Sequence, residues 1–350
     1  MRAVRARRRL LATAAVAGIL ALLPGPAFAW GTPGASNGQK TETSGTREGA
    51  SLVSKVVYSG STSGSRGGGN GGGALRPVGD WTPPACWYEP RSAEQFRDYV
   101  ESMYEETVNT PGQHSYAKQS AGMFRDDYKD GTYKNYNLDK KDEGSFWVAV
   151  RDEDRWMEPE AQACDKAPFW VENGDPVPVE NAVTPEVLAE LAYNRVRLPA
   201  AEVTLRPEAA TKVNLPTWAW LDKTRFKETS VTASIAVGGL NIQATTTARP
   251  VSLRLEPGTP DAETYPASGE CVINADGSIG EPYTRGKADR TPPCGLKYLR
   301  SSGDGTFTLR ATITWDISWT GTGGAGGDLP DGTFGNDQAV TVQEIQSVNR

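Results

Sequence analysis

Residues 307–319 read FTLRATITWDISW. Phe307, Leu309, Ala311, Ile313, Trp315, Ile317 and Trp319 are apolar, and every residue between them is polar. Successive side chains of a β-strand point to opposite faces, so this alternation predicts a long strand with one face buried and one face wet. A helix would spread the same residues around its whole circumference and bury none of them well.

Outward from this strand the same period recurs. Val231, Ala233, Ile235 and Val237 alternate with polar residues up to Gly238-Gly239, and Leu240, Ile242 and Ala244 resume the pattern. That is a two-residue hairpin, expected to pair Val237 with Leu240, Ile235 with Ile242 and Ala233 with Ala244. Val203–Leu205, Leu215–Leu221 and Val251–Leu255 are further short strands. Ala339–Val348 is another, with a bulge expected where Glu344 breaks the alternation. About seven strands with Gly/Pro turns over 199–350 predict an all-β, immunoglobulin-like antiparallel β-sandwich.

Before residue 199 the period is mixed. Ser92-Ala93-Glu94-Gln95 is a capping box, and Phe96, Tyr99, Val100, Met103 and Tyr104 follow at helical spacing. A helix is predicted from Ala93 to about Thr107. Thr184-Pro185 starts another, running to about Val196. Ser145–Val150 and Phe169–Val179 read as extended, within a polar stretch from Gly112 to Asp165. Residues 80–198 therefore form a small α+β N-terminal domain.

Residues 30–79 are rich in Gly, Ser and Thr and predict a disordered tether. Its apolar island, Leu52–Tyr58 (LVSKVVY), is suited to adding a strand to a sheet. Residues 1–29 carry five arginines, an uncharged run from Leu10 to Leu23, and Ala27-Phe28-Ala29. That is a secretory signal peptide, and Arg7-Arg8 fits both general and twin-arginine export. The uncharged run is shorter than the roughly 20 residues of a membrane span. No lipobox cysteine follows it. Leu329-Pro330-Asp331-Gly332-Thr333 only scrambles a sortase signal.

Without the five leader arginines, 32 of the 37 basic residues face all 43 acidic ones, a net charge of −11. A chain this acidic is a poor partner for nucleic acid. Cys86, Cys164, Cys271 and Cys294 allow three disulfide pairings. Cys86–Cys164 and Cys271–Cys294 are favoured, because each closes within one expected domain.

Catalytic patterns are sparse. His114 is the single histidine and sits in a loop beside Pro111-Gly112. No GxSxG occurs. Gly34–Thr41 and Gly280–Ala288 both miss the spacing of a phosphate-binding loop, so no nucleotide or other cofactor is expected. Asp139, Asp142, Glu143, Asp152, Glu153, Asp154, Glu158 and Glu160 form an acidic cluster interleaved with Lys140, Lys141, Arg151 and Arg155. It reads as a charged surface, with a polysaccharide hydrolase as the competing reading. Asn274-Ala275-Asp276-Gly277 lacks calcium ligands at the flanking positions and reads as a tight turn. The chain has ten tryptophans. Trp87, Trp156, Trp218 and Trp220 are the candidates for stacking on a sugar.

The segments DWTPPACWYEP (80–90), NLPTWAWLD (214–222), PCGLKYLRSS (293–302) and TLRATITWDISWTG (308–321) resemble a family of secreted actinobacterial proteins typical of Streptomyces. Members sometimes carry the label "ATP/GTP-binding protein". The resemblance implies export and transfers no functional residue, since the phosphate-binding motif is missing. The expectation is a secreted, non-enzymatic binding or structural protein that meets an envelope or secretion-apparatus protein, with cell-surface polysaccharide as the alternative partner. No membrane span is expected after signal cleavage.

Overall fold

The computed structural model describes residues 57–59, 73–199, 201–208, 210–221, 226–287 and 290–345. In chain order the strands and helices are β1 (Val57–Ser59), β2 (Gly73–Ala74), β3 (Arg76–Pro77), β4 (Cys86–Arg91), α1 (Ala93–Asn109), α2 (Ser115–Lys129), β5 (Gly144–Arg151), β6 (Phe169–Glu172), α3 (Pro185–Tyr193) and β7 (Arg197–Leu198). Then come β8 (Thr204–Arg206), β9 (Ala210–Lys212), β10 (Thr217–Leu221), β11 (Thr229–Val237), β12 (Leu240–Glu256), β13 (Ala262–Tyr265), β14 (Glu270–Val272), β15 (Ile279–Gly280), β16 (Gly295–Tyr298), β17 (Phe307–Gly321) and β18 (Gly326–Gln343). The expected signal peptide and most of the expected tether lie outside the described residues.

The alternating stretch is the strand it promised. In β17, Leu309, Ala311, Ile313, Trp315, Ile317 and Trp319 are buried, while Thr308, Arg310, Asp316 and Thr320 are exposed. It lies inside the main antiparallel sheet, ordered β1-β11-β12-β17-β18-β3. The hairpin register is as expected: Val237 opposes Leu240, Ile235 opposes Ile242, and Ala233 opposes Ala244. Gly238 and Gly239 both have positive φ (54° and 83°), the conformation a tight hairpin turn demands. Leu240 alone departs from the pattern; directly after the turn, at the ribbon's tip, it is exposed.

Three long strands carry this sheet, and two of them read in the sequence as fragments. Val251–Leu255 belongs to the 17-residue β12, and Ala339 onward belongs to the 18-residue β18, which stops at Gln343, before Glu344. The bulges lie elsewhere, between Pro250 and Ser252 and between Trp315 and Ile317. Proline cannot donate to a ladder, so Pro250 and Pro330 are tolerated in strands only where pairing is already interrupted. The LPDGT stretch is thus part of β18.

One apolar core joins residues from Leu75 to Val342, on both sides of residue 198. Helix α3 lies on the buried face of β11, β12 and β17 and contributes Leu188, Ala189, Leu191 and Ala192. Thr246 is a polar residue in that buried row, and its hydroxyl donates to the Ala189 carbonyl (2.8 Å). A second antiparallel sheet, β13-β16-β10-β15 with β8 beside β10, shares the same core through Leu205, Leu221, Ile279, Leu296 and Tyr298. Cys271 in β14, a strand paired to β12, is bonded to Cys294 just before β16. That bridge closes the 271–294 excursion as expected. It also ties the main sheet to the second one.

The N-terminal part is a three-stranded antiparallel sheet, β4-β5-β6, under α1 and α2. The capping box forms: Gln95 N donates to Ser92 Oγ (3.2 Å), and Ser92 N donates to Gln95 Oε1 (3.0 Å). Phe96, Val100, Tyr128, Phe146 and Val148 make a separate apolar cluster, with Phe96 and Phe146 stacked at 4.0 Å. Helix α2 had no clear sequence signal. Its N-cap, His114, makes no side-chain cap bond, and Ala121 and Tyr128 are its buried residues. The other face of the sheet joins the main core through Tyr88, Trp147, Ala149 and Phe169.

Part of the expected tether is ordered. β3 pairs with β18, and β2 pairs with β7. Leu75 is buried between them against Gly332, where a Cβ would come within 2.3–2.6 Å of the leucine side chain. β1, from the apolar island, pairs with the edge strand β11.

On β4 the burial of charge is unusual. Glu89 and Arg91 are both 2 % exposed at their side chains and stand 3.8 Å apart, too far for a hydrogen bond. The guanidinium lies 4.4 Å from the centre of the Tyr99 ring of α1. Burial pushes the Glu89 carboxyl up from 4.5 to about 7, against the opposing pull of Arg91. Between these values the folded chain keeps a proton that the unfolded chain has lost. Stability therefore falls as pH rises from about 4.5 through 7, by at most ~1.4 kcal/mol per pH unit and on the order of 3 kcal/mol in all. Glu190 on α3, half-buried and near Glu186, moves to about 7 as well but is better screened by water. Urea midpoints at pH 5 and pH 8 should differ in this sense, and Glu89→Gln should flatten the difference. Equal midpoints in the parent chain would refute the argument.

Candidate functional site

The four candidate tryptophans fall on three elements. Trp87 (8 % exposed) lies in β4 opposite Val150, and Trp218 (2 %) lies in β10 under Tyr283 and Lys287. Both are core residues and are removed as surface platforms. The reason is tertiary, since a neighbouring strand and a later loop cover them. Trp220 is half-buried on the same strand as Trp218. Trp156 is different: it is 59 % exposed, and Met157 beside it is 77 % exposed.

The loop that presents this pair is closely braced. Residues 152–163 leave the end of β5 and return to Cys164, which is bonded to Cys86 in β4. Asp152 N donates to the Ala85 carbonyl (2.8 Å), and Arg151 Nε donates to the Ala161 carbonyl (2.8 Å). Arg155 Nη1 donates to the Pro83 carbonyl (2.5 Å), while its Nε and Nη2 reach Glu158 Oε2 at 2.8 and 2.6 Å. Gln162 Nε2 donates to the carbonyl of Trp156 itself (2.8 Å). A short 3₁₀ turn, Pro159–Gln162, buries Ala161 and closes the loop. The backbone is thus anchored on both sides of Trp156, and the two large apolar side chains still point into water.

The surroundings are acidic. Asp152, Glu153, Asp154, Glu158 and Glu160 flank the pair against the guanidinium groups of Arg151 and Arg155. Met157 was not singled out by sequence reasoning. The available signal was RWME itself, an apolar pair between charges with no helical or strand period around it.

The acidic cluster of the sequence splits in space. Asp139, Asp142 and Glu143 precede β5, and Asp152–Glu160 follow it. The eight residues of that strand separate the halves by about 25 Å at ~3.3 Å per residue. A glycosidase pair spanning both halves would need roughly 5–10 Å. His114 is exposed at the start of α2, beside Tyr116 at 5.7 Å. Among the described residues no cluster of His, Cys, Asp and Glu has the arrangement of a metal site, and no helix is long and apolar enough to cross a membrane. Asn274–Ser278 is a tight turn, with Asn274 N donating to the Ser278 carbonyl (2.8 Å). A shallow depression of about 260 Å³ at one end of the main sheet is lined by Gln243, Thr245, Thr320, Gly321 and Thr322. None of these can titrate in the physiological range. Comparison with known protein families, curated proteins and solved structures gives no match to this chain.

Proposed function

We propose that this chain is an exported, non-enzymatic binding protein that docks a protein partner of the cell envelope through Trp156 and Met157. The observation that carries the reading is an exposed aromatic–thioether pair on a loop held by a disulfide and by hydrogen bonds on both sides. Large apolar side chains left in water cost nothing extra to bury in a partner, and a braced loop loses little entropy on binding. Tryptophan is also among the residues that dominate interface energies. The flanking carboxylates suit a partner that is apolar at the centre and basic at its rim.

Secretion is supported by the leader sequence and by the two disulfides, which belong to an oxidising compartment. As to architecture, an immunoglobulin-like relationship rests on two antiparallel sheets sharing one core; the disulfide between them, 23 residues apart in sequence, does not have the spacing of the antibody-type inter-sheet bridge. The main sheet's run β11-β12-β17-β18, with strands of up to 18 residues, is longer than such domains use.

The test is retention of the purified chain on actinobacterial envelope preparations. Trp156→Ala combined with Met157→Ala should weaken retention about 30-fold or more, the equivalent of ~2 kcal/mol at a hot spot. Protease treatment of the envelope should abolish retention. Retention that survives protease but is lost after glycan digestion would turn the same loop into a sugar platform. Unchanged retention in the double variant would remove the loop from function.

A further inference from the structure

The edge of the main sheet is covered by a segment delivered from a distance. Strand β11 has nine residues, and β1 pairs with three of them: Val57 with Ser234, Tyr58 with Ala233, and Ser59 with Thr232. Among the described residues, the ladder positions of β11 on either side of these three have no partner on that edge. An alternating strand of this length at a sheet edge is a template for a further strand unless something covers it. The cover is joined to the body through residues 60–72, seven of whose thirteen residues are glycine.

We propose that the edge of β11 is a strand-acceptor site that takes Val57–Ser59 from a second copy of this chain as well as from its own. The occupant follows from the register. A segment that matches this edge in cis makes the same backbone bonds in the same register when a second molecule supplies it. In a reciprocal exchange each edge stays covered, so no pairing is lost. The balance is then set by concentration alone. A linker of this length holds its own strand at an effective concentration on the order of millimolar. The cis form therefore prevails in dilute solution, and exchange takes over where copies are crowded at that density, as on a surface.

Cysteine cross-linking tests this, because the native cysteines are all paired. Ser59 is exposed, and its partner Thr232 lies on the solvent-facing side of β11. A chain carrying both Ser59→Cys and Thr232→Cys should close on itself in dilute solution. Failure to close would remove the edge pairing and the proposal with it. Mixing a Ser59→Cys chain with a Thr232→Cys chain allows this cross-link only between molecules. The mixed dimer should rise steeply as protein approaches the millimolar range. It should exceed the product of Ser59→Cys with Thr320→Cys, whose cysteine sits on the same face but on β17. A mixed dimer no more abundant than this control at the highest concentration would overturn the proposal. Neither readout involves Trp156, so this result stands apart from the docking loop.

Discussion

Replacing both Cys86 and Cys164 with serine is expected to lower the free energy of unfolding by ~4–5 kcal/mol, because the bridge closes a loop of 78 residues in the unfolded chain. The same replacement at Cys271 and Cys294, 23 residues apart, should cost only ~3 kcal/mol on that entropic account. Both bridges are buried, so lost packing adds to each in a similar way. Urea unfolding at fixed pH gives the comparison. If the shorter bridge proves the more stabilising, unfolded-state entropy is not the controlling factor, and the link between the two sheets carries more weight. The first variant also has a local consequence. Cys86–Cys164 sets the far end of the Trp156 loop, so envelope retention should fall at temperatures well below global unfolding.

The second large effect is at Trp315. Its side chain is fully buried in the middle of β17, opposite Pro250 on one neighbour and Gly332 on the other. Both neighbours offer little side chain of their own, and both ladders are bulged there. The indole fills space that no nearby residue can reclaim by a small shift. Trp315→Ala should therefore cost ~3–5 kcal/mol, toward the upper end for a large-to-small change. Trp315→Phe should cost clearly less. The indole Nε1 is buried without a hydrogen-bond partner, so the phenyl ring removes an unsatisfied donor while keeping most of the volume. Equal losses for the two variants in urea titrations would show that the site responds to shape alone.

Much of the architecture was legible because local pattern carries it. The alternation in 307–319 specifies which face of β17 is buried, and Gly238-Gly239 sets the hairpin register, since a two-residue turn leaves no freedom for slippage. The capping box at Ser92 and the Thr184-Pro185 start needed only neighbouring residues. Helix α2 was not legible, because its apolar residues are few and no side-chain cap marks its start. The fragmentation of β12 and β18 has a similar cause. Pro250, Pro330 and the glycines of 326–335 read as breaks, and only pairing with β17 shows that the strands run through them.

By itself the sequence determined the strand faces, and it favoured, among three possible pairings, the two disulfides that the structure contains. The strand faces depend on spacing within about ten residues, and the pairing preference on each bridge closing within one expected domain. Tertiary structure alone decided that Trp87 and Trp218 are core while Trp156 and Met157 stand in water, that Cys271–Cys294 joins two sheets, and that the island before residue 60 covers an edge. Exposure is set by what arrives from elsewhere in the chain to cover a residue, and no local period encodes that arrival.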